Sequence, residues 1–353
     1  MPASWKYFAF RTFNMLLVLV IVVFILSASY STLAERELEA TARNQARLDL
    51  MAQEEVENPN EYLERRIEYY RRRYNLHRPR WQRIFFAARD VLTLDFGQAN
   101  EMTYRGSRDV TTIIMGYLPN TILLFTTAAV IYTALGIAVG LKAAQVAGSK
   151  LDKFLSLFGI TASSMPMWWV GMLAILIFVY QLGWFPRPDP QFPRVERLGY
   201  MGYIRAILYK LALPLATVVF VLFGGRAWVT RNLVTGVLQD DYIMAARAKG
   251  VPERKVIYGH TLKTAAPPVV TSAIMALLMS MGGAMISEIV FQWPGMGYLL
   301  RMAIFTYTDV PVILGISFIM SFLFIFGYYL ADLIYGFLDP RVEVGSSGAM
   351  GGR

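Results

Sequence analysis

The sequence predicts an all-α integral membrane protein: six transmembrane helices, a long extracytoplasmic insertion after the first, and a structured cytoplasmic loop between the fourth and fifth. Three observations predict it. Of 353 residues, 56% are hydrophobic and 17% charged, where a soluble domain carries about a quarter charged. The apolar residues gather into six runs near the length of about 20 residues that crosses roughly 30 Å of hydrocarbon. The runs lack the period-two alternation of a barrel, so each must close its backbone hydrogen bonds as a helix. The same composition excludes a disordered or collagen-like chain. Without cysteine there are no disulfides or thiolate sites, and His77 and His260 leave little for a histidine-based metal or catalytic centre.

The first run is Phe13–Tyr30. Lys6 and Arg11 before it and Ser27, Ala28 and Ser29 at its end also fit a cleaved signal peptide; a retained helix fits better ahead of five further spans. The insertion, Ser31–Val110, holds 14 basic and 14 acidic residues and is locally neutral. Within it Leu63, Ile67, Tyr70 and Tyr74 recur at helical spacing, which predicts a small solvated helical subdomain at the membrane surface. A nucleic-acid or anionic-lipid site on Arg71, Arg72 and Arg73 is disfavoured by the neighbouring acids, and no nucleic-acid partner is expected. The remaining runs are Ile113–Leu141, Phe154–Leu182, Leu208–Trp228, Val269–Phe291 and Pro311–Leu338. Short segments decide orientation. The N-terminus, Lys142–Lys153 and Arg231–Pro268 carry 11 basic residues; the third-to-fourth and fifth-to-sixth connections carry five. That places both termini in the cytoplasm. The chain thus divides into an N-terminal helix (1–30), the insertion (31–110), a core of five spans (111–340) containing the loop 231–268, and a Gly/Ser-rich flexible tail (341–353).

The loop 231–268 is the least loop-like connection. Asp240 or Asp241 is placed to cap a helix starting near Tyr242. Gly250 is placed to end it as a left-handed C-cap. Val251, Pro252 and Glu253 then open a second short helix, with Pro in its first turn and Glu at its positive end. Two short helices joined by a sharp turn are expected along the cytoplasmic face, with Ala245 and Ala246 small enough for close approach of another protein. An ordinary amphipathic interfacial connection is the other reading these residues permit.

The stretch resembles the cytoplasmic docking motif of binding-protein-dependent ABC importer permeases, in which two alanines and a glycine four residues on build a coupling helix that seats in an ATPase subunit. The glutamate of the general pattern is Met244 here, and His260 and Lys263 replace its isoleucine and proline. Those departures fit the dipeptide/oligopeptide/nickel subfamily, whose form is similar to Ala246, Arg247, Ala248, Lys249 and Gly250 followed by His260, Leu262, Ala265 and Pro268. Phe291, Pro294, Gly295 and Gly297 resemble its outer signature, Leu338–Arg341 its ending, and Tyr74–Gly97 the approach to its second helix. Ser31–Arg71, about 40 residues, lies outside the resemblance and reads as an enlarged insertion.

The resemblance implies a permease subunit in the cytoplasmic (inner) membrane. Its partners would be a second permease, usually a paralogue, two ATPases and an extracytoplasmic substrate-binding protein, and it would translocate dipeptides or oligopeptides. An oligosaccharide importer of the same family and, from a different class, an autonomous secondary transporter are the alternatives; the latter calls for inverted repeats and midplane ion ligands. The implied ATPase-coupling residues are Ala245, Ala246, Arg247, Lys249, Gly250, Val251, Pro252, Glu253, Arg254, Lys255 and His260. The sequence has no G-x-x-x-x-G-K-[ST] loop, so ATP and magnesium are expected on the partner ATPases; this chain should bind no cofactor or metal and be no enzyme itself. Pathway candidates are Glu288, Trp168, Met165, Gly282 and Gly283. Glu288 has two open readings, a carboxylate facing the pathway or one near the interface paired, for instance, with Arg301. Trp168 and Met165, beside Pro166, fit a kinked wall or an aromatic belt, and Gly282 and Gly283 a gate hinge or close packing.

Overall fold

A computed structural model describes residues 5–52, 58–73, 76–191, 195–280 and 285–338. Gly282 and Gly283 lie outside the described residues, as do Tyr74, Asn75, the Asp339–Arg341 ending and the tail. All regular elements among those described are helical. The chain divides into two units, one of residues 1–15, 117–299 and 323–353, the other of 16–116 and 300–322.

Helix α1 (Trp5–Met51) has 47 residues, about 70 Å at 1.5 Å per residue. It carries on through the boundary expected at residue 30, because no Gly or Pro interrupts residues 5–51 and Ala, Leu, Glu and Arg favour the helix once the apolar stretch ends. In the second unit its far end pairs with α2 (Pro59–Arg73). Ala42 and Ala46 admit the Tyr70 ring, with Leu63 and Ile67 beside it. Arg66 donates Nε to Asp49 Oδ2 at 2.6 Å, and the Tyr70 hydroxyl donates to the same oxygen at 2.8 Å. These donors hold the Asp49 carboxyl below its ordinary range. Helix α3 (Arg80–Leu92) buries Ala88 and Val91 and leaves Trp81 and Phe85 exposed. The segment after α3 leads to Asp109, whose carboxylate caps α4 (Val110–Gln145) through Thr112 N at 2.7 Å and Thr112 Oγ1 at 2.6 Å.

In the first unit α4, α5 (Lys150–Ser164) and α7 (Val195–Leu238) interlock through small residues. A Cβ on Gly159 would stand 2.6 Å from Gly224 O, and one on Gly140 2.4 Å from Ala227 O. Such close backbones are how helices associate where apolar burial gives no net drive. The bidentate pair Arg231–Asp152, at 2.7 and 2.8 Å, joins the start of α5 to α7. Helix α6 (Met167–Ala174) widens into a π-helical stretch, Ile175–Gln181.

Among the described residues four helices are long and apolar enough to cross a membrane: Phe8–Thr32, Val110–Gln145, Arg197–Leu238 and Val310–Ile334. The third predicted span, 154–182, is not one straight helix. It is broken between Ser164 and Met167 with a bend of 97°. Pro166 lacks an N–H and forces Met165 into extended backbone (φ −86°, ψ 131°). The predicted fifth span falls on α10 (Leu262–Ser280) and α11 (Met285–Phe291), separated by residues outside the description. Helices α8 (Asp241–Ala248), α9 (Glu253–Lys255) and α12 (Met296–Arg301) are short, and α13 (Val310–Leu338) closes the order.

Candidate functional site

Helix α8 starts after Asp240, whose extended backbone (φ −66°, ψ 144°) forms the N-cap without a side-chain bond. Ile243 is fully buried and fixes the helix to the chain; Met244, Ala245 and Lys249 face outward. Gly250 has φ +75°. Val251 N–H donates to Ala246 O at 3.2 Å and Gly250 N–H to Arg247 O at 2.9 Å. Those two bonds define a Schellman closure with a left-handed residue at its hinge. A Cβ at Gly250 would meet nothing within 4 Å, so the position needs glycine for its backbone sign and not for room.

Arg247 straddles the turn. Its Nη2 and Nε reach the Glu253 carboxylate at 2.6 and 3.2 Å, which holds the Glu253 carboxyl below its usual range. Pro252, Glu253, Arg254, Lys255 and His260 are exposed. The second short helix foreseen here is not separate: α9 runs through a π-helical stretch, Val256–Thr261, straight into α10. The reason is that Val256, Ile257 and Thr261 are buried and nothing between Glu253 and Ser280 ends a helix outright. Even Pro267 and Pro268 are accommodated. The Tyr242 hydroxyl donates to Thr264 Oγ1 at 2.8 Å, tying α8 to α10.

The outer-signature residues form a second, tighter cluster. Glu288 is completely buried and accepts from Thr121 Oγ1 and from Gly297 N–H, both at 2.6 Å. Thr121 Oγ1 in turn accepts from Met296 N–H at 2.8 Å. Trp293 Nε1 donates to Asn120 O at 2.9 Å, and Asn120 Nδ2 donates back to Pro294 O at 2.7 Å. Helix α11 ends in its own Schellman pair, Trp293 N–H to Glu288 O and Gln292 N–H to Ile289 O, with Gln292 at φ +48°. There is no room inside: a Cβ on Gly295 would lie 2.2 Å from Glu288 Oε1, and one on Gly297 2.3 Å from Met285 O. Phe291 and Trp293 belong to the apolar core with Leu124, Phe125 and Leu213.

The structure does not gather the pathway candidates in one place. Met165 lines an open cavity with Tyr132, Ser163 and Arg226, and Glu288 is not among its walls. Trp168 is partly exposed on α6. Asp332 pairs with Arg11 at 3.0 Å. Sequence reasoning passed over Arg226, although a basic residue two positions inside the predicted end of a span at Trp228 was the available signal.

Residues 136–344 match the family of binding-protein-dependent transport system inner membrane components. The oligopeptide transport system permease protein AppB of Bacillus subtilis is 30% identical over 276 residues, covering 78% of this chain and 84% of the relative. The dipeptide transport system permease protein DppB of Alkalihalophilus pseudofirmus is 31% identical over 285 residues, covering 77% and 84%. The loop 231–268 and most of the cluster around Glu288 fall inside the matched stretch, and the chain belongs to the family of binding-protein-dependent transport system inner membrane components.

Proposed function

We propose that the chain is the translocation subunit of an ATP-driven ABC importer that takes up dipeptides or oligopeptides delivered by an extracytoplasmic binding protein. The observation that carries the reading is the outward-facing, Schellman-closed helix Asp241–Ala248 with Ala245 and Gly250 on its exposed end. The printed names of the relatives favour peptides as cargo. In this reading the chain has six spans, with both termini and the docking loop in the cytoplasm, and pairs with a second permease. Two ATPase subunits hold ATP and magnesium and receive the docking loop. The insertion lies outside.

The mechanism follows from what the loop is attached to. The ATPases close on ATP and move α8. That motion reaches α10 by two routes, the continuous helix from Glu253 and the Tyr242–Thr264 hydrogen bond. Docking that is equally tight in both ATPase states would shift nothing; the ATPase must favour one arrangement of the loop. The test is co-purification of the complex from mild detergent, comparing wild type with Gly250→Asp. Wild type should retain its ATPases, and the variant should lose them or lose ATP-driven uptake. A wild-type chain that purifies with its other partners but never with an ATPase sinks the reading. The co-purified binding protein, screened against peptides and oligosaccharides, separates peptide cargo from the oligosaccharide alternative.

A further inference from the structure

Arg226 is the one buried basic side chain among the described residues, at 8% exposure. It sits within the apolar stretch of α7. Its stem lies against Gly136 of α4, where a Cβ would be 2.5 Å from Arg226 Cγ. One guanidinium nitrogen, Nη2, donates to Val269 O at 3.1 Å, while the Nε N–H is buried without an acceptor. Among the described residues no carboxylate lies within ion-pair distance. A guanidinium stays protonated at any ordinary pH, and a buried charge of that kind is normally paired. Here it borders a cavity of about 400 Å³. Tyr132 and Ser163 contribute polar groups, and Met165, Met167, Leu222 and Val229 an apolar wall. That volume is within the range of small-molecule sites, which are apolar with a few placed polar groups.

We propose that this cavity is an anion-binding station of the translocation path and that Arg226 receives the terminal carboxylate of the passing substrate. The inference rests on the importer reading and narrows it: cargo that carries a carboxylate beside an apolar side chain is favoured over neutral cargo. The planar guanidinium fork suits a carboxylate in two-point contact. The Met-rich wall accepts varied side chains, because methionine adapts its shape. Arg226 follows the bulk of its span and comes five residues before Arg231, so the station belongs to the half of the helix nearest the docking loop.

The chain has no cysteine, so Met165→Cys gives a unique thiol in the cavity. The first experiment compares its modification by a small anionic methanethiosulfonate and by a cationic one of similar size, in the assembled transporter in liposomes. With Arg226 present the anionic reagent should be favoured roughly tenfold or more over its ratio in Met165→Cys/Arg226→Gln, the scale by which a single-signed cleft concentrates counter-ions. Arg226→Lys, which keeps the charge, should keep most of the bias. A ratio unchanged by Arg226→Gln overturns the proposal. So does a bias present in the isolated chain that vanishes on assembly, since a carboxylate of the second permease would then be the partner. The second experiment measures ATP-driven uptake of a hydrophobic tripeptide and of its C-terminal amide. Because the same binding protein serves wild type and variant, a merely structural defect lowers both rates together. The proposal expects Arg226→Gln to shift the acid-to-amide ratio several-fold towards the amide, and an unmoved ratio refutes it. Absence of peptide uptake by wild type would instead refute the peptide reading and leave the labelling result to stand by itself.

Discussion

Gly295→Ala is expected to fail because of Glu288, and a double mutant shows whether it does. The new methyl would sit 2.2 Å from Oε1, 2.5 Å from Cδ and 2.6 Å from Oε2 of a carboxylate that is fully buried. Restoring ordinary contact displaces that carboxylate by about 1 Å, which stretches the two 2.6 Å bonds from Thr121 and Gly297 past useful length. Overpacking costs about 1–3 kcal/mol, and each buried group left unpaired about 1–3 kcal/mol. The single variant should therefore lose about 2–4 kcal/mol, a large part of a typical margin of about 5–15 kcal/mol. Glu288→Ala by itself should be similarly costly, since it strands the Thr121 hydroxyl and the Gly297 N–H. Combined with Gly295→Ala it vacates the space the methyl needs, so the pair should cost less than the sum by about 1–3 kcal/mol. The assay is the temperature at which half of the detergent-solubilised complex is lost from its size-exclusion peak, and the double variant's shift should fall short of the summed single shifts by at least half of the shift seen for Gly295→Ala. Gly297→Ala is the internal control. Its clash is with Met285 backbone, so Glu288→Ala should not rescue it. Strictly additive losses for the Gly295 pair would show that the carboxylate is not what excludes a side chain there.

Two further outcomes are expected in the insertion. Asp49 is held below its ordinary pKa of 3.8 by its bonds to Arg66 and Tyr70, so its contribution is present above that value and disappears as pH falls through the lower folded value; Asp49→Asn should make the α1–α2 hairpin easier to cleave by protease at pH 7, and the difference from wild type should shrink progressively as pH is lowered below 3.8, where an acid-stable protease follows it. With the insertion outside, as the importer reading has it, we propose that the α1–α2 hairpin is a platform for the binding protein: replacing residues 39–73 by a short Gly/Ser linker should weaken docking of the binding protein while sparing ATPase co-purification, and equal docking by the shortened chain, measured by surface-immobilised binding, would show that the hairpin is no such platform.

How far the sequence could be read depended on whether a feature is local. The turn at Gly250 was legible, because a glycine after a helix-forming stretch with Pro252 beyond it carries its conformation in its own chemistry. The glycines of the outer signature were legible as a pattern, but their cause was not. Gly295 is crowded by a residue seven positions earlier, and the hydroxyl that orders that residue, Thr121, lies 167 positions away. For Glu288 the sequence could offer only near neighbours such as Arg301. Pro166 was visible, yet an apolar run reads the same whether it is straight or bent by 97°, since hydropathy is blind to direction. The length of α1 was hidden for the opposite reason: the change from apolar to charged residues near residue 30 marks the membrane boundary, and a helix has no need to end where its solvent changes. Arg226 was missed because a single charge barely lowers the hydropathy of a long window, although its cost in lipid is large.

The two motif-bearing stretches use glycine for different physical reasons, and the difference bears on what each can do. At Gly295 and Gly297 the limit is space inside a buried cluster, so the outer segment is defined by tertiary contacts and tolerates no added atom. At Gly250 the limit is backbone sign in open surroundings. Asparagine, which also populates the left-handed region, would preserve the fold of the loop there, while any side chain would still stand in the way of a closely fitted partner. The loop around Gly250 is therefore shaped by its own bonds, the Schellman pair and the Arg247–Glu253 contact, with Ile243 anchoring it below. A partner meeting such a loop does not have to order it, and interactions made on docking are not spent on lost conformational freedom. In the importer reading proposed above, that leaves the differential between the partner's two states as the quantity that sets how strongly the loop drives α10, and a change at Gly250 that leaves the chain folded is then expected to uncouple it.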